Sequence, residues 1–203
     1  MIIRNDMNVS YVRVFHASPD APGVDIYVNG GLVFQNLEFK NFTEYVPLSM
    51  GEYNIDVYPT GKTGKPVLSQ NIKVPSKQVI TVAAAGDLDE LQLVPYIEGN
   101  GSDLAVNQSL VRAIHLSPDG PNVDILVNGK AAFSDVGFLD ATDYAQLMSG
   151  IYQVDINEAG TNNTVLSLRP ELKSQKVYSI YVVGNPPNLS AIQSLDGITY
   201  VRF

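Results

Sequence analysis

The chain has 203 residues, 45% hydrophobic and 17% charged, with 16 glycines, 12 prolines and no cysteine. That composition is globular and excludes disordered, collagen-like and coiled-coil chains, disulfides, thiolate nucleophiles and zinc–thiolate or iron–sulfur ligation. Thirteen basic against 21 acidic residues give a formal net charge of −8, which repels phosphate backbones and anionic lipid and makes nucleic acid and membrane surfaces poor partners.

The opening MIIRNDMNVS has no apolar core of the kind a secretory leader needs, so none is read there. The first strand runs through Tyr11-Val12-Arg13-Val14-Phe15 and ends at His16. Ser18-Pro19-Asp20 then turns the chain, because Pro fixes φ and Asp accepts local backbone N–H bonds, and Pro22 stiffens the exit. Val24, Ile26 and Val28 alternate with Asp25 and Tyr27, the period of a strand buried on one face. Asn29-Gly30 tolerates the positive φ angles of a type I′ turn, so the chain folds back into Gly31–Gln35. Tyr53, Ile55 and Val57 repeat the alternation before a turn at Pro59 and Gly61, and Val67–Val74, Gln78–Ala85 and Leu91–Ile97 supply three more strands. No window carries a 3.6-residue apolar stripe or the run of about 18 apolar residues that a membrane helix requires, so no membrane insertion is expected.

The pattern then starts again. VRVFHASPDAPGVDIYVNG, Val12–Gly30, lies over VRAIHLSPDGPNVDILVNG, Val111–Gly129, with thirteen of 19 positions identical at an offset of 99. The match continues through Phe34/Phe133, Tyr45/Tyr144 and Tyr53/Tyr152, and resumes at an offset of 98 with Val79/Val177 and Gly86/Gly184. Two copies are therefore expected at residues 1–99 and 109–203, joined by a Gly-, Asn- and Ser-bearing linker at 100–108. Ile198–Phe203 echoes Tyr11–Phe15 and is read as a strand closing the second copy. The fold expected is all-β: two tandem antiparallel β-sandwich domains of immunoglobulin-like size, with one barrel built from both copies as the rival.

The string H-x-S-P-D-x-P-x-V-D-I-x-V-N-G, at His16–Gly30 and again at His115–Gly129, resembles the bacterial domain-of-unknown-function family 4397. The resemblance spans both copies. It implies tandem β-sandwich-like domains of secreted or cell-surface bacterial proteins, with no established activity, and the surface location rests on it alone.

His16 and His115, the two histidines, occupy one position of the two copies. With Ser18, Asp20 and Asp25, and with Ser117, Asp119 and Asp124, they form a candidate ligand pocket or a structural turn motif. A Ser-His-Asp enzyme is disfavoured, because residues two apart on an extended strand are about 6.5–7 Å apart and no Gly-x-Ser-x-Gly elbow presents the serine. Asp25 and Asp124 are expected to face solvent or bond a neighbouring loop. Calcium at Asp87-Leu88-Asp89-Glu90 is disfavoured, since the second copy has Asn185-Pro186-Pro187 there. Tyr27, Tyr58 and Tyr96 are candidates for an exposed aromatic platform, although Leu126, Asn157 and Ser194 match them. The reading is a non-enzymatic structural or adhesive module without cofactor or metal, its partner an unknown protein or glycan. The alternative is a small-ligand or glycan-binding module using loops near the two SPD turns.

Overall fold

The computed structural model describes residues 8–99, 101, 103–199 and 201. The chain divides into two compact units, one of the described residues up to Glu98 together with Val201, the other of Gly99–Thr199. In the first, the strands are β1 (Val9–His16), β2 (Val24–Val28), β3 (Gly31–Leu37), β4 (Val46–Ser49), β5 (Gly51–Pro59), β6 (Leu68–Val74), β7 (Val79–Ala85) and β8 (Gln92–Ile97). They form two four-stranded sheets, ordered β4-β1-β7-β8 and β3-β2-β5-β6. Val12, Val14, Val24, Ile26, Val57, Ile72 and Val82 fill the space between them, so the period-two pattern closes one sandwich core.

The second unit repeats the plan with β9 (Gln108–His115), β10 (Val123–Val127), β11 (Lys130–Val136), β12 (Ala145–Met148), β13 (Gly150–Ile151), β14 (Val154–Glu158), β15 (Thr164–Leu168), β16 (Glu171–Leu172), β17 (Lys176–Val183) and β18 (Ser190–Leu195). Its sheets are ordered β12-β9-β17-β18 and β11-β10-β14-β15, with β13-β16 as a short separate pair. Pro170 explains the split. It stands where the first copy has Ile72 and has no N–H to give the ladder, so the strand that is continuous as β6 breaks between β15 and β16.

Pairing is antiparallel except at the centre of one sheet in each unit, where β1 runs parallel to β7 and β9 parallel to β17. β7 is buried along its whole length, as a strand covered on both faces should be, which its unbroken VITVAAA run reflects. The connection after β3 helps to cover the outer face, stacking Phe42 on Phe15 with ring centroids 4.1 Å apart. Gln108, placed by sequence in the linker, already pairs in β9. The expected closing strand fails at its start, where Gly197–Thr199 form a 3-10 turn closed by a Thr199 N–H bond to the Asp196 carbonyl. Val201 is outside any strand, and Tyr200, Arg202 and Phe203 lie outside the described residues.

The Asn-Gly turns form as read, with φ of 49° and 78° at Asn29 and Gly30 and 49° and 76° at Asn128 and Gly129. A tighter constraint sits after β17, where Gly184 has φ of +93° and an added Cβ would lie 2.5 Å from the Asn188 carbonyl oxygen. Gly184→Ala is expected to destabilise by about 2–3 kcal/mol, backbone strain and collision combined. Gly129→Ala, at a positive φ with nothing within 4 Å of the new Cβ, should lose only about 1 kcal/mol. Urea unfolding of the two variants separates the terms.

Candidate functional site

Each motif histidine sits at the end of its first strand and is 1% exposed. Its surroundings fix its tautomer. The Ser18 N–H donates to His16 Nδ1 at 3.3 Å, so that nitrogen is an acceptor, and Nε2 lies 3.0 Å from the Pro22 carbonyl, so Nε2 carries the proton. His115 repeats the arrangement with the Ser117 N–H at 3.2 Å and the Pro121 carbonyl at 3.0 Å. Burial lowers the pKa of both imidazoles, opposed in part by the Pro carbonyls and, at His115, by the negative charge of Asp140. The ring is thus a cross-brace between the two arms of the SPD turn, stitched through backbone groups.

The serines do not face the imidazoles as nucleophiles would. Ser18 and Ser117 offer their amides, not their hydroxyls; Ser18 Oγ turns to Asp20 at 3.4 Å, and the buried Ser117 Oγ has no hydrogen-bond partner among the described residues. Asp20 and Asp119 are exposed. Asp20 reaches well beyond its own turn, accepting the Leu88 N–H at 2.9 Å, so the Asp87–Glu90 segment serves the loop as a donor. Among the described residues no three of His, Asp and Glu converge to hold a metal ion.

Asp25 and Asp124 tie loops. Asp25, 3% exposed, accepts the Asn36 N–H at 2.8 Å and the Gly61 N–H at 2.9 Å, joining the irregular stretch of β3 to the turn after β5. Asp124 does the same with the Asp135 and Gly160 N–H groups, both at 2.9 Å, which hold its carboxyl below the usual range. Of the two outcomes the sequence leaves open, solvent or a neighbouring loop, Asp25 takes the loop and is buried, because two loop amides share each carboxylate. Of the tyrosines expected on a platform, Tyr96 is buried at 7% exposure, while Tyr27 and Tyr58 are half-buried.

A second constellation escaped the sequence reading. Arg13, within the apolar β1, donates through Nε to Thr81 Oγ1 at 2.8 Å; Thr81 donates to Glu98 Oε1 at 2.8 Å, and the Tyr45 hydroxyl donates to that same oxygen at 2.5 Å. The Arg13 guanidinium stands 3.5 Å from Glu98 and lies over the rings of Phe42 and Tyr45 at 4.3 and 4.7 Å. In the second unit Arg112 donates to Ser179 at 2.9 Å, while Ser179 and Tyr144 donate to Asp196 at 3.1 and 2.6 Å. Burial, reinforced by Asp196, pushes the Tyr144 phenol far above its ordinary pKa. The signal was an arginine at the same place in two apolar strands, VRVF and VRAI, with its partners matched at offsets of 98 or 99.

The model of the family described as Domain of unknown function (DUF4397) matches residues 10–125 and 109–197. No curated protein matches the chain in sequence. Among solved structures, the Bacillus anthracis TIE protein is 12% identical, with a TM-score of 0.29, over 88% of this chain and 34% of that one; the chain spans about a third of that protein's length. The family CBM26 module CBMbc of Eubacterium rectale Amy13K, solved with maltoheptaose, is 10% identical, with a TM-score of 0.28, over 92% of this chain and 97% of that one. A streptococcal virulence factor described for alpha-glucan binding is 11% identical, with a TM-score of 0.28, over 96% of this chain and 100% of that one.

Proposed function

Because the chain belongs to the family described as Domain of unknown function (DUF4397), whose model covers it twice between residues 10 and 197, we propose that it works as a repeated scaffold: a non-enzymatic structural or adhesive interaction module of a bacterial surface or envelope. One observation carries this reading. In both copies the motif histidine, the residue best suited to acid–base work, is buried with both ring nitrogens committed to backbone groups of its own turn. The motif thereby acts on folding and leaves the outer faces of the β3-β2-β5-β6 and β11-β10-β14-β15 sheets to meet a partner. A ligand seat at the two SPD turns draws less support, since His16, Ser18, His115 and Ser117 are all buried.

The test offers the intact chain chromogenic ester, glycoside, phosphate and peptide substrates, and separately measures its retention on whole bacterial cells. Expected are hydrolysis at the buffer rate and saturable retention. Turnover that His16→Gln or His115→Gln abolishes without altering the near-ultraviolet circular dichroism overturns the reading, as does the absence of saturable retention.

A further inference from the structure

The outer face of the β3-β2-β5-β6 sheet in the first unit carries different side chains from its counterpart in the second. Strand register sets Leu32, Tyr27, Asp56 and Ser69 side by side across this face, with Asn54 opposite Asn71 in a neighbouring row. Tyr58 lies diagonal to Tyr27; the rings meet edge to face, 5.1 Å between centroids and 67° between planes. Neither tyrosine hydroxyl, nor the Asp56 carboxylate, has a hydrogen bond within the protein among the described residues. Asn54 bonds Ser69 and Asn71 at 3.3 and 3.2 Å and so leaves Asp56 alone.

The second copy has the same strands and the same carboxylate, but Leu126 and Asn157 replace the tyrosines. Its Asp155 is occupied by Ser167 at 2.6 Å and Gln153 at 2.8 Å, which hold its carboxyl below the ordinary range. One copy therefore satisfies its outer carboxylate internally, and the other leaves a carboxylate acceptor beside an aromatic corner.

We propose that Tyr27, Tyr58 and Asp56 bind one neutral pyranose of a glycan, at a single site in the first unit. The apolar C–H face of a sugar packs on an aromatic ring, while its hydroxyls donate to a carboxylate and exchange bonds with phenols and amides. The edge-to-face corner suits one ring rather than a flat row of sugars. The carboxylates of Asp56 and Asp25 disfavour uronates and phosphates. This inference rests on the interaction-module reading and names its ligand class.

The intact chain is titrated, in ¹H–¹⁵N NMR, with methyl glucoside, methyl galactoside and N-acetylglucosamine, and in parallel with glucuronate and with tetramethylammonium. Saturable shifts confined to Tyr27, Asp56, Tyr58 and their strand neighbours, with one equivalent bound and affinity of order 1 mM, are expected for at least one neutral sugar. Tyr27→Leu and Tyr58→Asn install the second copy's own residues, and each should weaken binding at least about 10-fold; Asp56→Ala should do likewise, and Gln153→Ala should change nothing. Shifts with tetramethylammonium or glucuronate alone, shifts elsewhere, or none with any probe overturn the proposal. Saturable retention on cells that survives such a failure leaves the module reading standing; loss of both removes both.

Discussion

Glu98→Ala is expected to destabilise the first unit by about 3–5 kcal/mol, the cost typical of breaking a buried ion pair from one side. Glu98 and Arg13 are each 5% exposed. Removing the carboxylate leaves a guanidinium in the sheet without the charge that faces it at 3.5 Å, and deprives Thr81 and Tyr45 of their shared acceptor. Replacing the whole pair is a different perturbation. Arg13→Met with Glu98→Leu removes both charges together, so it should recover most of the loss, because the desolvation of two ions disappears with their attraction. Urea unfolding by circular dichroism gives the comparison. A single variant losing less than about 1 kcal/mol would mean that water reaches the pair and that it behaves as a surface bridge.

This network also marks where sequence reading stops. The strands are legible because period two and Asn-Gly turns are local signals, and Val24, Ile26 and Val57 lie in the core as their alternation demands. Val46–Ser49 carries no strand signal of its own, being four residues long with a proline inside. Its place beside β1 is set by long-range pairing of Val46 with Val12. The parallel pairing of β1 with β7 is equally silent, since it joins residues 68 apart, such as Tyr11 and Val79. Alternation assigns one face to the core and the other to solvent, which misleads in a sheet covered on both sides. Tyr96, a candidate for the exposed platform, is buried there, as are Arg13, Thr81 and Glu98. The histidine motif was visible as a turn, but not its bracing bonds, which depend on where Ser18 and Pro22 place their backbone groups.

The braces predict how stability follows pH. A histidine whose pKa is lowered by folding favours the folded state in its neutral form. Its contribution is complete above the unfolded value of 6.5 and is lost as pH falls through 6.5 toward the depressed folded value. Protonation would put a proton on Nδ1, where the Ser18 or Ser117 N–H already points, so the turn must open for the ring to charge. Unfolding free energy should therefore decline as pH falls below 6.5. That is well above the window of Asp124, whose lowered carboxyl contributes stability lost only below 3.8. His16→Ala and His115→Ala should each destabilise by about 3 kcal/mol at pH 7, from the vacated volume and the unpaired carbonyl and amide. The double variant should lack the decline that begins at pH 6.5. The chain has 2 histidines, so two imidazole resonances report them directly by NMR. Midpoints near 6.5 in the folded protein would show that the rings titrate freely, and the brace would then be wrong in both copies.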